Sequence, residues 1–140
     1  MFDKILLAVD GSEHALHAAK VAGDLVRSVK AKELLIVIAY EPVPAYLGEP
    51  NLQKAIDIRM HESRDVLQEA EHMLGKIPAE IYSELVEGKI AVAIINVAET
   101  RNCDLIVMGS LGLGRLASAL LGSNSQKVVS EAPCPVLIVR

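Results

Sequence analysis

Residues 4–12 read KILLAVDGS, and this stretch decides the fold. The apolar run of residues 4–9 has the length of a buried strand, and the polar turn after it stops the strand. Apolar residues then recur at steps of three and four over residues 15–29, which predicts an amphipathic helix whose start the Ser12 hydroxyl caps. A short apolar strand that leads directly into such a helix is typical of a parallel α/β sheet.

The same alternation of strand and helix continues along the chain. Residues 81–86 alternate apolar and polar side chains, so we expect that strand near an edge of the sheet. Residues 41–50 contain three prolines and a glycine, which predicts a loop. The strands predicted after the first are residues 34–39, 81–86, 105–108 and 136–139, and the later helices are residues 52–74, 90–101 and 125–132.

These elements predict one α/β domain spanning residues 1–140. We expect a single doubly wound, five-stranded parallel sheet with helices on both faces, because crossovers between parallel strands are right-handed. Ligands in such sheets bind beyond the C-terminal ends of the strands, where the strand order reverses. The turns that begin at Asp10 and Gly109 are therefore the candidate binding crevice.

Composition narrows the class of protein. Hydrophobic residues make up 51% of the chain, with three tyrosines, one phenylalanine and no tryptophan, so we expect an aliphatic core. A formal net charge of −4 argues against a nucleic-acid-binding protein, which usually carries a basic face. We see no secretory signal and no apolar run of membrane-spanning length, and we expect a cytoplasmic protein. Cys103 and Cys134 lack metal-site spacing and are expected to be free thiols.

Residues 108–126, MGSLGLGRLASALLGSNSQ, form a glycine-rich segment between a buried strand and a helix. Glycine lets the backbone approach an anion, and the free N–H groups at a helix start attract phosphate. Short polar side chains at residues 123–125 add donors, so the segment suits a polyphosphate. A plain loop, with glycines for turns and a serine or asparagine as a helix cap, is the alternative that remains open.

Other motifs are absent or weak. The G-x-x-x-x-G-K-[ST] phosphate loop is absent. The pattern G-x-G-x-x-G/A occurs at residues 112–117, but it follows the fourth strand and no acidic residue ends a following strand at the required distance, so dinucleotide binding is disfavoured. His14 and His17 share a helix face without further ligands, and we interpret them as surface histidines. We predict no catalytic and no metal-binding residue.

Taken together, these residues resemble the universal stress protein family in its ATP-binding branch. That branch carries Gly, two residues, Gly, nine residues, Gly and then Ser or Thr, and Gly109, Gly112, Gly122 and Ser123 match it without a gap. The resemblance covers essentially the whole chain, from KILLAVDGSEHA at the start to CPVLIVR at the end. It implies a Rossmann-like fold of the adenine nucleotide alpha hydrolase-like type.

The resemblance also implies roles for single residues. Asp10 would lie beside the nucleoside, with a backbone group of Ala8 nearby and Met108 against the base or ribose. The backbone at Tyr40 would read adenine, and the glycines and serines of the motif would hold the ribose and phosphates. Asn124 stands where the family usually has Val, a change that removes no phosphate donor. The expected nucleotide-binding residues are Ala8, Asp10, Tyr40, Met108, Gly109, Gly112, Gly122, Ser123, Asn124 and Ser125.

The function that the resemblance implies is a nucleotide-dependent switch in stress response or signalling. It would bind ATP or AMP, with Mg²⁺, hydrolyse ATP slowly or not at all, and form a homodimer through Val136–Val139. No nucleic acid or membrane partner is expected. Two alternatives stay open: a nucleotide-independent protein-interaction module of the same fold, and a nucleotidyl-transfer enzyme, whose usual signatures the chain lacks.

Overall fold

The computed structural model describes residues 1–110 and 121–140, and strands alternate with helices throughout them. The predicted elements are present, with bounds that differ by at most two residues. A short 3₁₀ helix, Ala45–Leu47, lies within the predicted loop. The strands are β1 (Lys4–Ala8), β2 (Glu33–Tyr40), β3 (Glu80–Glu87), β4 (Leu105–Gly109) and β5 (Val136–Val139), and the helices are α1 (Glu13–Val29), α2 (Asn51–Leu74), α3 (Ile90–Thr100) and α4 (Ser123–Glu131).

The five strands form one parallel sheet in the order β3-β2-β1-β4-β5. The predicted doubly wound, Rossmann-like α/β fold is therefore confirmed. The chain begins in the middle of the sheet at β1, moves outward to β3, and then crosses to the other side of β1 for β4 and β5. The strand order reverses between β1 and β4, so the C-terminal ends of these two strands flank a crevice.

Side chains alternate across the sheet, so each central strand contributes to two apolar layers. In β1, Ile5 and Leu7 face the layer that α1 and α2 cover, whereas Leu6 and Ala8 face the layer that α3 and α4 cover. Both layers are largely aliphatic, as the composition predicts. Because α1 and α4 cover opposite faces, their first turns approach the crevice from opposite sides.

The longest helix, α2, packs against α1 through its C-terminal end. Only Ser63, Ala70 and Leu74 of its 24 residues are buried, and Gly75 ends it as predicted. A Cβ atom at Gly23 of α1 would lie 2.4 Å from the carbonyl oxygen of Leu74, so this contact requires glycine. Among the helices that the structure describes, none is long and apolar enough to cross a membrane.

The two edge strands differ in chemistry. β3 lies at one edge, which confirms the prediction for residues 81–86, and it carries Glu80, Glu84 and Glu87. Charged side chains on an edge strand oppose pairing with another strand. The other edge is β5, which reads VLIV and exposes Leu137. Only the β5 edge therefore has an uncharged sequence that can pair with a like strand.

Candidate functional site

A cleft opens at the crevice between β1 and β4. Its cavity volume is about 50 Å³, or about 500 Å³ when the open mouth is included, so the enclosed part of the cleft is a narrow slot. Its walls come from the ends of β1, β2 and β4, from α3, and from the starts of α1 and α4. The predicted site residues that line it are Ala8, Asp10, Met108, Gly109, Gly122, Asn124 and Ser125.

Polar side chains organise the turn between β1 and α1. The Asp10 carboxylate accepts a hydrogen bond from the Ser12 N–H at 2.9 Å, and Gly11 between them has a φ of +84°, a conformation that favours glycine. The Ser12 hydroxyl accepts from the Ala15 N–H at 3.2 Å and caps α1, as predicted. Glu13 adds a negative charge to the first turn. The start of α1 thus already has an acceptor and carboxylates beside it.

Gly109 ends β4 at a point where the backbone of α1 comes very close. A Cβ atom at this position would lie 2.8 Å from the carbonyl carbon of His14 and 2.9 Å from the nitrogen of Ala15. Real Cβ atoms essentially never come so near to backbone atoms, so a side chain here would displace α1. The glycine is required by the packing of α1 on β4, a contact that the sequence did not reveal.

Ser110 follows β4 immediately and is buried, with an exposed fraction of 1%. Its N–H donates to the Val139 carbonyl at 2.7 Å, and its own carbonyl accepts from the Gly122 N–H at 2.8 Å. Its hydroxyl oxygen lies 2.6 Å from Nδ1 of His14. Ser110 therefore joins the end of β5, the start of α4 and the first turn of α1 at one point beside the cleft.

Ser125 in the first turn of α4 completes this junction. Its hydroxyl donates to the carbonyl oxygens of Gly109, at 3.0 Å, and Ser110, at 3.1 Å. Its exposed fraction is 3%. The side chain expected to bind a ligand is thus directed at the backbone of β4.

The start of α4 differs from that of α1 because its cap residue is a glycine, which has no side chain to bond the helix. Gly122 occupies the cap position with φ −70° and ψ 164°, and the first turn has no acidic residue. The N–H groups of the first three residues of a helix have no partner within the helix. At α4 these belong to Ser123, Asn124 and Ser125, directly beside the residues that line the cleft. This end of the cleft is suited to an anion.

The inner part of the cleft is apolar. Val37 and Ala39 come from β2, and Ile90 and Ile94 come from α3. Val37 and Ile94 belong to the layer that α3 and α4 cover, as do Ala8 and Met108. A narrow apolar slot that ends at a set of N–H groups can accept a flat ring with an anionic substituent.

Three of the predicted site residues are not among the described residues that line the cleft. Tyr40 lines a separate cavity with Val43 and Arg59, and its carbonyl accepts from the Gly88 N–H at 2.9 Å. Ser123 is the first residue of α4, and its side chain is exposed. Gly112 lies outside the described residues.

Sequence reasoning missed the apolar wall and the junction. The wall had a readable signal, because strand alternation puts Val37 and Ala39 on the same face as Ala8 and Met108. Ile90 and Ile94 are one helical turn apart and follow from the same logic. No local sequence pattern indicated the role of Ser110, because its partners are distant in sequence.

The interpretation of two histidines as surface residues is wrong for one of them. His14 is partly buried and bonded to Ser110, whereas His17 is exposed, with Nδ1 3.1 Å from the carbonyl oxygen of Arg140. Both contacts fasten α1 to the C-terminal ends of β4 and β5. The interpretation failed at His14 because packing of α1 on Gly109 brings its first turn onto Ser110.

The two cysteines are free thiols, as expected. Burial raises the pKa of the Cys103 thiol to about 11, with a smaller contribution from nearby Cys134. Burial likewise raises the pKa of Cys134. Thiols with raised pKa values stay protonated and react slowly at neutral pH, so both act as apolar packing groups.

Comparison with known proteins gives matches over the full length. The model of the universal stress protein family matches residues 1–140. The "Universal stress protein in QAH/OAS sulfhydrylase 3'region" of Thermus aquaticus is 51% identical over 140 residues, covering 100% of both chains.

Two solved structures share the whole architecture. Universal stress protein UspA from Lactobacillus plantarum has a TM-score of 0.86 at 25% identity, covering 99% of this chain and 98% of that one. A universal stress protein in complex with cAMP has a TM-score of 0.72 at 27% identity, covering 99% of this chain and 97% of that one. The full-length matches to a family model, to a sequence and to structures show that this chain belongs to the universal stress protein family.

Proposed function

We propose that this protein binds an adenine nucleotide, ATP or AMP, in the cleft between β1 and β4 and acts as a nucleotide-dependent switch in a stress response. One observation carries the proposal: an apolar slot and an uncapped helix start meet in a single cleft. The complex of a related universal stress protein with cAMP, itself an adenine nucleotide, supports it. Two free thiols fit a role in a reducing cytoplasm.

The base would occupy the apolar slot. Val37, Ala39, Ile90 and Ile94 offer aliphatic contact to both sides of a flat purine, and the narrowness of the slot favours a planar ring. The backbone at Ala39 would read the base in place of that at Tyr40, because Ala39 lines the cleft whereas Tyr40 lines a separate cavity.

The sugar and phosphates would extend toward α4. A carboxylate accepts several hydrogen bonds, so Asp10 can bond a ribose hydroxyl while it keeps the Ser12 N–H. The first N–H groups of α4 would hold the phosphates, and Gly122 leaves their approach open. Since Asp10 brings negative charge into the cleft, a triphosphate would bind with Mg²⁺, which neutralises part of its charge.

We also propose that ATP is hydrolysed slowly or not at all. The donors described at the phosphate end are neutral backbone groups, and catalysis of phosphoryl transfer needs groups that neutralise charge and orient a nucleophile. Sustained release of phosphate from Mg²⁺-ATP by the purified protein, followed colorimetrically, would contradict this part of the proposal.

The test of the site is a calorimetric titration of the nucleotide-stripped protein with Mg²⁺-ATP. We expect saturable binding near one site per chain for the wild type and loss of binding for Gly122→Val. Gly122 has an extended backbone that valine readily adopts, so the new side chain should enter the cleft without unfolding α4.

The matched control is Ser130→Val, which adds a side chain of the same kind at an exposed position of the same helix. It should bind ATP as the wild type does. If Gly122→Val binds ATP with wild-type affinity, the nucleotide does not occupy this cleft. If the wild type fails to bind millimolar ATP, the protein-interaction alternative replaces the nucleotide switch.

We further propose a homodimer in which Val136–Val139 pairs with its copy in a second subunit. The strand is apolar, lies at a sheet edge and exposes Leu137, whereas the glutamates of β3 oppose pairing at the other edge. Light scattering should give twice the mass of one chain for the wild type, and Leu137→Lys should reduce it to one chain. A wild-type mass of one chain at micromolar concentration would contradict the dimer.

A further inference from the structure

The end of β4 and the start of α4 are hydrogen-bonded to each other. The Gly122 N–H donates to the Ser110 carbonyl at 2.8 Å, and the Ser125 hydroxyl donates to the carbonyls of Gly109 and Ser110 at 3.0 and 3.1 Å. We call these three hydrogen bonds the β4–α4 clasp. They fix the first turn of α4 against the last residues of β4.

The chemistry of a serine hydroxyl limits what Ser125 can do. The group has one proton and two lone pairs. In the clasp that proton is directed at two carbonyl oxygens, so the side chain presents only lone pairs to an approaching phosphate oxygen. With an exposed fraction of 3%, the hydroxyl also has little room to turn outward. Ser125 therefore cannot keep the clasp and donate its proton to a phosphate.

We propose that the Ser125 side chain is a positioning residue for phosphate binding and not a ligand of the nucleotide. It holds the N–H groups at the start of α4 in the place where they converge on the phosphates. The proposal rests on the proposed function, since it concerns the same cleft, and it reassigns a side chain that the resemblance to the family places among the ligands.

The clasp is anchored on both sides of the cleft. Ser110 is tied to the end of β5 through Val139 and to the first turn of α1 through His14. Gly109 packs against the backbone of α1. The start of α4 is thus held in a defined position against β4, β5 and α1. Groups that must converge on one ligand need such support to stay in place.

The experiment compares Ser125→Ala with Ser130→Ala, an exposed serine at the other end of the same helix. Three quantities are measured: the dissociation constant for Mg²⁺-ATP, the dissociation constant for adenosine, and the hydrogen-exchange rate of the Gly122 amide in the nucleotide-free protein. Ser125→Cys is the second variant, because a thiol keeps a side chain of the same shape but is a weak donor.

We expect Ser125→Ala and Ser125→Cys to weaken ATP binding about tenfold, because binding must then order the start of α4 without the clasp, at a cost no larger than about one hydrogen bond between buried groups. Adenosine binding should be unchanged, because the base and ribose contacts stay in place. The Gly122 amide should exchange faster without any nucleotide present. Ser130→Ala should change none of these quantities.

Each other outcome overturns the proposal in a different way. Unchanged ATP affinity would mean that the clasp has no role in binding. Weaker ATP binding with unchanged Gly122 exchange would make Ser125 a direct ligand. Equal loss of ATP and adenosine would indicate general disruption of the cleft. A wild type that binds neither compound would contradict the proposed function itself, and this proposal with it.

Discussion

Two helices begin at the same cleft, but the first turns of the two helices differ in capping and charge. The start of α1 is capped by the Ser12 hydroxyl and carries Glu13 in its first turn. The start of α4 has glycine at the cap position, no side-chain cap and no acidic residue in its first turn. Serines occur at both starts, but Ser12 bonds its own helix whereas Ser125 bonds the end of β4.

The difference determines which helix can bind an anion. A helix start attracts negative charge through its free N–H groups and its dipole. At α1 a hydroxyl and carboxylates of the protein already occupy that position, so a phosphate would meet repulsion. At α4 the N–H groups of the first turn are those that we propose to bind the phosphates. Under this proposal the cleft is polarised, with its acidic side at β1 and its anion-binding side at α4.

The largest expected effect concerns how α1 is held in place. Gly109→Ala would place a Cβ atom 2.8 Å from the backbone of His14, so α1 must shift away from β4. We expect a loss of about 3 kcal/mol in the free energy of unfolding, the scale of a strained, overpacked contact. Urea unfolding measures it.

Gly48→Ala is the comparison for this variant. Gly48 has φ +65° and ψ 166°, a conformation that is essentially restricted to glycine, and no atom lies within 4 Å of an added Cβ, so backbone strain of about 2 kcal/mol is expected there without a clash. A smaller loss for Gly109→Ala than for Gly48→Ala would contradict the close packing of α1 on β4.

The second prediction tests the two helix starts with a matched pair of prolines. Ser123→Pro removes one N–H at the first position of α4, where proline is tolerated, and Gly122 already has the extended backbone that precedes proline. We expect ATP binding to weaken about tenfold, while adenosine binding and stability stay unchanged.

Glu13→Pro removes the equivalent N–H of α1, where Ser12 has φ −69° and ψ 160°. It should leave ATP affinity unchanged or raise it, because it also removes a negative charge. Calorimetric titration of both variants with Mg²⁺-ATP measures the two affinities. Equal losses of ATP affinity would mean that the two helix starts do not differ in function.

The third prediction concerns the cap of α1. Ser12→Ala removes the acceptor of the Ala15 N–H and should cost about 1 kcal/mol of stability, as lost N-caps do. ATP affinity should be unchanged, because the hydroxyl accepts from the Ala15 N–H at the helix start that is not proposed to bind the phosphates. Ser130→Ala, which removes an exposed hydroxyl, should alter neither quantity. A loss of ATP affinity with Ser12→Ala would instead place this hydroxyl in the binding site.

The smallest expected effect is a dependence of the free energy of unfolding on pH, which arises in the apolar layer beneath α4. Val128 of α4 and Cys103 share this layer. The native pKa of Cys103, about 11, lies above the usual thiol value of about 8.5, so the native state retains a proton that the unfolded state loses first. This contribution to stability is therefore present below about pH 8.5 and is lost as the pH rises toward 11.

Unfolding free energies measured between pH 8 and pH 10 should fall more steeply for the wild type than for Cys103→Ala. Equal slopes would show that the thiol is not buried as the structure has it.

The sequence revealed the features that depend on local order. Alternation predicted the strands and the edge position of β3, and Ser12 was predicted as a cap because its partner, Ala15, lies within one turn. The parallel sheet followed from the repeated strand–helix pattern.

The sequence did not reveal contacts between distant segments. Ser125 and Gly109 are 16 residues apart, and His14 and Ser110 are 96 apart. A serine beside a glycine-rich loop has the same donor whether it bonds a phosphate or a carbonyl, so Ser125 was predicted as a ligand. Gly109 was expected to let the backbone approach an anion, whereas the structure also places the backbone of α1 against it.

The most direct test of the polarised cleft is a titration of ¹⁵N-labelled protein with Mg²⁺-ATP, followed through the backbone amide resonances. We expect the largest shifts at Ser123, Asn124 and Ser125, with small shifts over the first turn of α1. Large shifts at Glu13–Ala15 with none at the start of α4, or no shifts at either, would contradict the claim that α4 holds the phosphates.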